Sequence, residues 1–172
     1  MSQSRFETKL LAEIAITVAL SVVLDFIKIF HLPQGGSVTL GSMVPVLLIA
    51  YRRDFKIGVF TGTVFGLVQM VLAGYIYNPF GMFLEYPLAF GVLGVAAFFK
   101  KYPLVGVVVA LSGRFLCHFF SGIMFWWMYA PEGMNPILYS AIYNGSYMLI
   151  EMVISGILVY FLFQRKLIDS IK

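Results

Sequence analysis

Six apolar runs, at roughly 9–30, 41–51, 57–77, 81–99, 103–129 and 136–163, fill the chain and leave only short polar or Pro/Gly-containing breaks between them. A helix that crosses a bilayer needs ~20 apolar residues, so runs of this length and number describe membrane spans. The second run, Gly41 to Tyr51, is short and carries Pro45, so it has to lean on its neighbours or begin in a loop that dips inward. With 60% hydrophobic and 12% charged residues in 172, against roughly 25% charged in soluble domains, the six runs use nearly everything. The expectation is an all-α integral membrane protein, a compact bundle of six transmembrane helices forming one domain over 1–172.

The basic residues fix an expected orientation. Arg5 and Lys9, then Arg52, Arg53 and Lys56, then Lys100 and Lys101, then Arg165, Lys166 and Lys172 all fall on one side of a six-span chain, whereas the loops 31–40, 76–80 and 130–135 contain no Lys or Arg. The positive-inside rule then predicts cytoplasmic N- and C-termini. Arg5 and Lys9 before Ile14–Leu24 resemble a signal peptide, but the run continues through Asp25, Phe26 and Ile27 without a small-residue cleavage pattern, which predicts a retained first helix.

Several function classes are disfavoured. The net charge of +4 sits at helix ends and not on a clustered face, so nucleic acid is not an expected partner. The single Cys117 excludes an internal disulfide, and with His31 and His118 the only histidines, no structural zinc site is expected. No GxxxxGK[ST] occurs, so the chain is not itself a P-loop ATPase. The loop Pro33-Gln34-Gly35-Gly36-Ser37 lacks the lysine as well and reads as a turn or a lid.

Ionisable residues inside a bilayer are costly unless paired or wetted, which makes each one a functional candidate. Asp25, three residues before Lys28, is explained by a local helical pair. Glu85 has no basic neighbour within a turn and must be compensated elsewhere. Arg114, His118, Gly122 and Trp126 recur every four residues on the fifth helix, as do Tyr139, Tyr143, Tyr147 and Glu151 on the sixth, with Asn144 beside them. At 1.5 Å per residue His118 lies roughly 15 Å inward from the outer end of its helix, and Glu85, Tyr75, Tyr139 and Asn144 also fall in the outer half. A carboxylate, an imidazole, an amide, phenols and an indole at one depth describe an outward-open pocket. Carboxylate plus aromatic faces suit a flat cationic ligand, each cation–π contact contributing ~0.5–2 kcal/mol.

Alternatives accompany this reading. Trp126, Trp127, Tyr129 and Tyr139 taken singly suit an aromatic belt at the membrane boundary. Arg114 is expected to partner Glu85 or Glu151. Ser121, three residues after His118, raises intramembrane hydrolysis, yet no glycine turn exposes a nucleophile, so no enzyme is expected. Gly58, Gly62 and Gly66 predict close helix packing, and Ala12, Ala15 and Ala19 form a small-residue stripe that either packs internally or docks another membrane subunit.

The stretches Phe83-Leu84-Glu85-Tyr86-Pro87-Leu88-Ala89, His118-Phe119-Phe120-Ser121-Gly122 through Trp126, and Tyr139 through Tyr143-Asn144-Gly145 resemble the thiamine-specific S component of energy-coupling factor (ECF) transporters. The resemblance covers essentially the whole chain. It implies a subunit of a bacterial plasma membrane that captures thiamine from outside, has no cofactor or ATPase of its own, and docks with a transmembrane coupling protein and two ATPases. It places ligand contacts at Tyr75, Glu85, Tyr86, His118, Gly122, Trp126, Tyr139 and Asn144, and the coupling surface at Ala15 and Ala19. Where some members carry a tryptophan in the loop after the first helix, this chain has Gln34 to Ser37. An S component for another small vitamin or cation, or a membrane enzyme or interaction subunit, is the alternative.

Overall fold

In the computed structural model, which describes residues 2–73 and 78–165 with side chains from residue 7 onward, the chain folds as a six-helix membrane bundle. Helix α1 spans Ser2–Phe26, α2 Val44–Arg52, α3 Phe55–Ala73, α4 Pro79–Phe99, α5 Pro103–Phe125 and α6 Pro136–Gln164. The last four combine the length and hydropathy of membrane spans. α2 has nine residues, about 14 Å of helix, too short to cross alone. Seven of its residues, Val44 to Leu47 and Ile49 to Tyr51, are buried, so it forms the centre around which the others pack.

Local chemistry explains the element boundaries. Asn78 and Asn135 cap α4 and α6 by accepting from Phe80 and Gly81 N–H and from Ile137 N–H, each followed by a proline that needs no N–H partner at the first helical position. Within α4, Pro87 cannot donate, and the helix widens into a π turn over Leu84–Leu88. The glycines of α3 work as their spacing predicts. A Cβ at Gly58 would meet Ala50 and Gly94, at Gly62 the Phe90 carbonyl, and at Gly66 the Tyr86 carbonyl, so α3 lies backbone-to-backbone on α4.

The end of the first helix departs from the sequence reading. α1 ends at Phe26, and the following segment forms a β-hairpin, β1 (Lys28–His31) antiparallel to β2 (Ser37–Thr39). Its tip is a 3₁₀ turn, Pro33–Gly35, in which Gln34 and Gly35 take left-handed φ of 62° and 93°. Lys28 therefore lies on a strand and not one helical turn beyond Asp25, and the expected Asp25–Lys28 ion pair is not formed. Of the two alternatives for the Ala12, Ala15, Ala19 stripe, internal packing is the one the fold does not take, since the stripe turns away from the bundle. Ile14, Val18 and Ser21 are the inward face of α1, and Ala15 and Ala19 stand exposed among Leu11, Ile16, Leu20 and Val23.

The two ends of the bundle differ in charge. One gathers Arg52, Arg53, Lys56, Lys100 and Lys101, with Glu13 bridging Arg52 (2.8 Å) and Arg53. The hairpin and the loop between α5 and α6 lie at the opposite end.

Candidate functional site

Beneath the hairpin is a cavity of about 240 Å³, somewhat below the common range for drug-sized ligands. Side chains from five helices and the hairpin tip close it: Asp25 from α1, Gln69 from α3, Glu85, Tyr86 and Phe90 from α4, Arg114 and His118 from α5, Tyr143 and Tyr147 from α6, with Gln34 to Ser37 above.

Of the eight expected ligand contacts, seven line this one cavity: Glu85, Tyr86, His118, Gly122, Trp126, Tyr139 and Asn144. Tyr75 lies outside the described residues. The widened turn before Pro87 carries Glu85 and Tyr86 toward the cavity, and Glu85 Oε1 accepts from Ser121 Oγ (2.8 Å) and Trp126 Nε1 (2.7 Å). Ser121 thus serves the carboxylate, which gives its hydroxyl a role other than meeting His118. These two neutral donors fix one oxygen of Glu85 in place.

Asn144 joins α5 to α6. Its Nδ2 donates to the Ser140 carbonyl (3.1 Å), Ser140 Oγ (3.1 Å) and the His118 carbonyl (3.3 Å), and its Oδ1 accepts from Tyr147 OH (2.9 Å). Ser140 Oγ in turn donates to the Phe119 carbonyl (2.8 Å). Gly122 allows this approach, since a Cβ there would run into Ser140 Oγ. Its value is therefore steric on both sides, admitting α6 and leaving the cavity open.

The inner end of the cavity is polar in a way the sequence reading did not anticipate. Arg114 forms no close ion pair with Glu85 or Glu151, correcting the expectation of a direct partner, and only a longer-range attraction links it to Glu151. Its guanidinium lies on the Phe90 ring, 3.7 Å from the centroid, and Nε and Nη1 are buried without a hydrogen-bond partner. His118 Nε2 and Gln69 Nε2 are likewise buried and unpartnered. Gln69 was missed although a glutamine within the span 57–77 was itself a signal. Glu151, the fourth member of the tyrosine stripe, does not line the cavity and instead binds Thr39 of β2. No cluster of three or more His, Cys, Asp or Glu suited to a metal occurs among the described residues.

Fold and site together define a multi-pass helical membrane protein with an aromatic, carboxylate-bearing small-molecule cavity at one end. The chain belongs to the family described as Thiamine transporter protein (Thia_YuaJ), which it matches over residues 11–169. It is similar to the thiamine transporter ThiT of Bacillus subtilis (strain 168), 34% identical over 182 residues, covering 95% of this chain and 94% of that protein. The ThiT of Lacticaseibacillus paracasei is 28% identical over 178 residues, covering 91% and 88%. The solved structure of ThiT from Listeria monocytogenes superposes with a TM-score of 0.83 at 28% identity, covering 92% of this chain and 95% of that one. The family is one of transporters and not of enzymes.

Proposed function

We propose that this protein is the substrate-capturing S component of an ECF-type importer, binding thiamine from the extracellular side through Glu85, Tyr86, His118, Gly122, Trp126, Tyr139, Asn144 and Tyr75. The observation that carries the reading is Glu85, a carboxylate that lines an aromatic cavity and has one oxygen fixed by Ser121 and Trp126, in a chain whose relatives are named thiamine transporters. A thiazolium-bearing ligand supplies the positive charge that Glu85 attracts and flat rings for Trp126, Tyr139 and His118 to face.

The cavity sits at the end opposite the basic residues, and the positive-inside rule supports an extracellular opening, with both termini in the cytoplasm of a bacterial cell. The exposed Ala15 and Ala19 support α1 as the docking face for a transmembrane coupling protein, which with two ATPases powers import. The whole of 1–172 acts as one transmembrane domain.

Titration of the purified protein with thiamine, followed by intrinsic fluorescence, tests the substrate. Trp126 and Trp127 are the only tryptophans, and Trp126 touches Glu85. Saturable quenching by thiamine and not by riboflavin, biotin or choline is expected. A folded protein that gives no response, or that answers another vitamin, overturns the assignment.

A further inference from the structure

We propose that Glu151, which does not line the cavity, is the positioning residue that holds the hairpin over it. Glu151 is 2% exposed, and its Oε1 accepts from both Thr39 N–H (2.5 Å) and Thr39 Oγ1 (2.8 Å). A hydroxyl has one proton. With that proton given to the carboxylate, Thr39 Oγ1 is left to accept from Ser42 N–H (3.2 Å) and to meet Ser42 Oγ at 3.0 Å. The contact thus fixes β2 and the turn into α2 at once, across 112 residues of sequence.

The hairpin depends on such an anchor. A two-stranded hairpin alone is marginally stable, and all four residues of β1 are exposed, so burial holds only β2. Two side chains of α6, eight residues apart and therefore on one face, clasp β2 at its two ends. Tyr143 OH receives the Gly36 N–H (3.0 Å) and donates to the Pro33 carbonyl at the tip, while Glu151 takes Thr39 at the base. Both of its bonds go to one oxygen, Oε1, and Oε2 is buried without a partner. Gly36, which Tyr143 holds, and Ser37 between the two anchors are themselves cavity wall. Whatever loosens Thr39 from Glu151 frees the cover without touching any residue proposed to contact ligand.

Amide hydrogen exchange of the ligand-free protein, read by mass spectrometry for wild type, Glu151→Ala, Glu151→Gln and Thr39→Val, tests this. In Glu151→Ala, exchange in peptides spanning 28–40 is expected to rise about tenfold, with α3 and α5 unchanged. Glu151→Gln, which keeps an acceptor oxygen but no charge, falls between it and wild type. Should Glu151→Ala fail to fold, Thr39→Val preserves shape, removes only the hydroxyl, and is expected to give about a threefold rise confined to the same peptides. Unchanged hairpin exchange overturns the proposal, and so does equal acceleration in all helices, which signals general destabilisation. The ligand readout rests on the proposed function. Thiamine dissociation is expected to speed up by a similar factor in Glu151→Ala while association changes little, and a dissociation rate equal to wild type overturns the proposal. A wild-type protein that does not bind thiamine at all refutes the substrate and leaves the exchange result standing.

Discussion

The two ends of the bundle handle charge in opposite ways. At the basic end charge meets charge. Glu13 bridges Arg52 and Arg53, and Lys100 Nζ donates to the Arg53 carbonyl (2.8 Å), all with side chains partly open to solvent. At the cavity end Glu85 is held by a serine and an indole, Arg114 lies on a phenyl ring, and His118 Nε2 has no partner. In the first arrangement Glu13 meets Arg52 and Arg53 directly. The second leaves buried polar groups without a hydrogen-bond partner among the described residues, and an unmet buried group costs about 1–3 kcal/mol. Arg114, His118 and Gln69 line the cavity, so under the proposed function a ligand there can meet them, whereas the unpartnered Ser21 and Ser155 hydroxyls lie away from it.

Substitutions at the cavity end test the contrast most severely. Gly122→Val brings a side chain against Ser140 Oγ and into the cavity, so thiamine affinity is expected to fall about a hundredfold or more, measured by calorimetry. If affinity survives, Gly122 does not shape the site. Glu85→Gln keeps an acceptor for Ser121 and Trp126 but removes the charge, and binding is expected to weaken at least about tenfold, or roughly 1.4 kcal/mol, with little change in melting temperature. An unchanged Kd removes the reason for a cationic ligand. Asn144→Ala strips the α5–α6 bridge and leaves the Tyr147 hydroxyl without its acceptor. It is expected to cost about 2 kcal/mol of stability as well as affinity, and a loss of affinity alone would make Asn144 a ligand contact and not a brace.

How much of this was legible follows the range of each interaction. Helices α3 to α6 were readable because hydropathy is a local property, and the cavity residues of α5 and α6 because a four-residue repeat places side chains on one face regardless of what they meet. Glu85 was found by the cost of an unpaired carboxylate in the membrane. What each polar group bonds to was not legible. Ser121 reaching Glu85 and Thr39 reaching Glu151 span 36 and 112 residues, and no spacing rule connects them. The Asp25–Lys28 pairing failed for a local reason, since the helix stops at Phe26 and the Ile29-Phe30 segment goes into a strand, which suits β-branched and aromatic residues. Arg114 was assigned a carboxylate because cations in membranes usually find one. Its contact with Phe90 is the alternative that a packed aromatic face provides.

The smallest effect is expected at the basic end, where the same chemical change as at Glu85 has a different consequence. Glu13→Gln removes the negative partner of Arg52 and Arg53, whose side chains are 30% and 25% exposed. Water and salt screen such pairs, so the loss is expected to stay under about 1 kcal/mol and to shrink further at 0.5 M salt, where the Debye length falls to about 4 Å. Thiamine affinity should not change, because the cavity is at the other end. Parallel detergent unfolding at low and high salt, with a titration on each sample, checks both statements. A drop in thiamine affinity would show that the two ends are coupled through α1, which carries Glu13 at its middle against Arg52 and Arg53 and Asp25 at the cavity. A salt-insensitive loss of several kcal/mol would make the Glu13 cluster part of the buried framework, and the division between a self-satisfied end and a ligand-completed end would no longer hold.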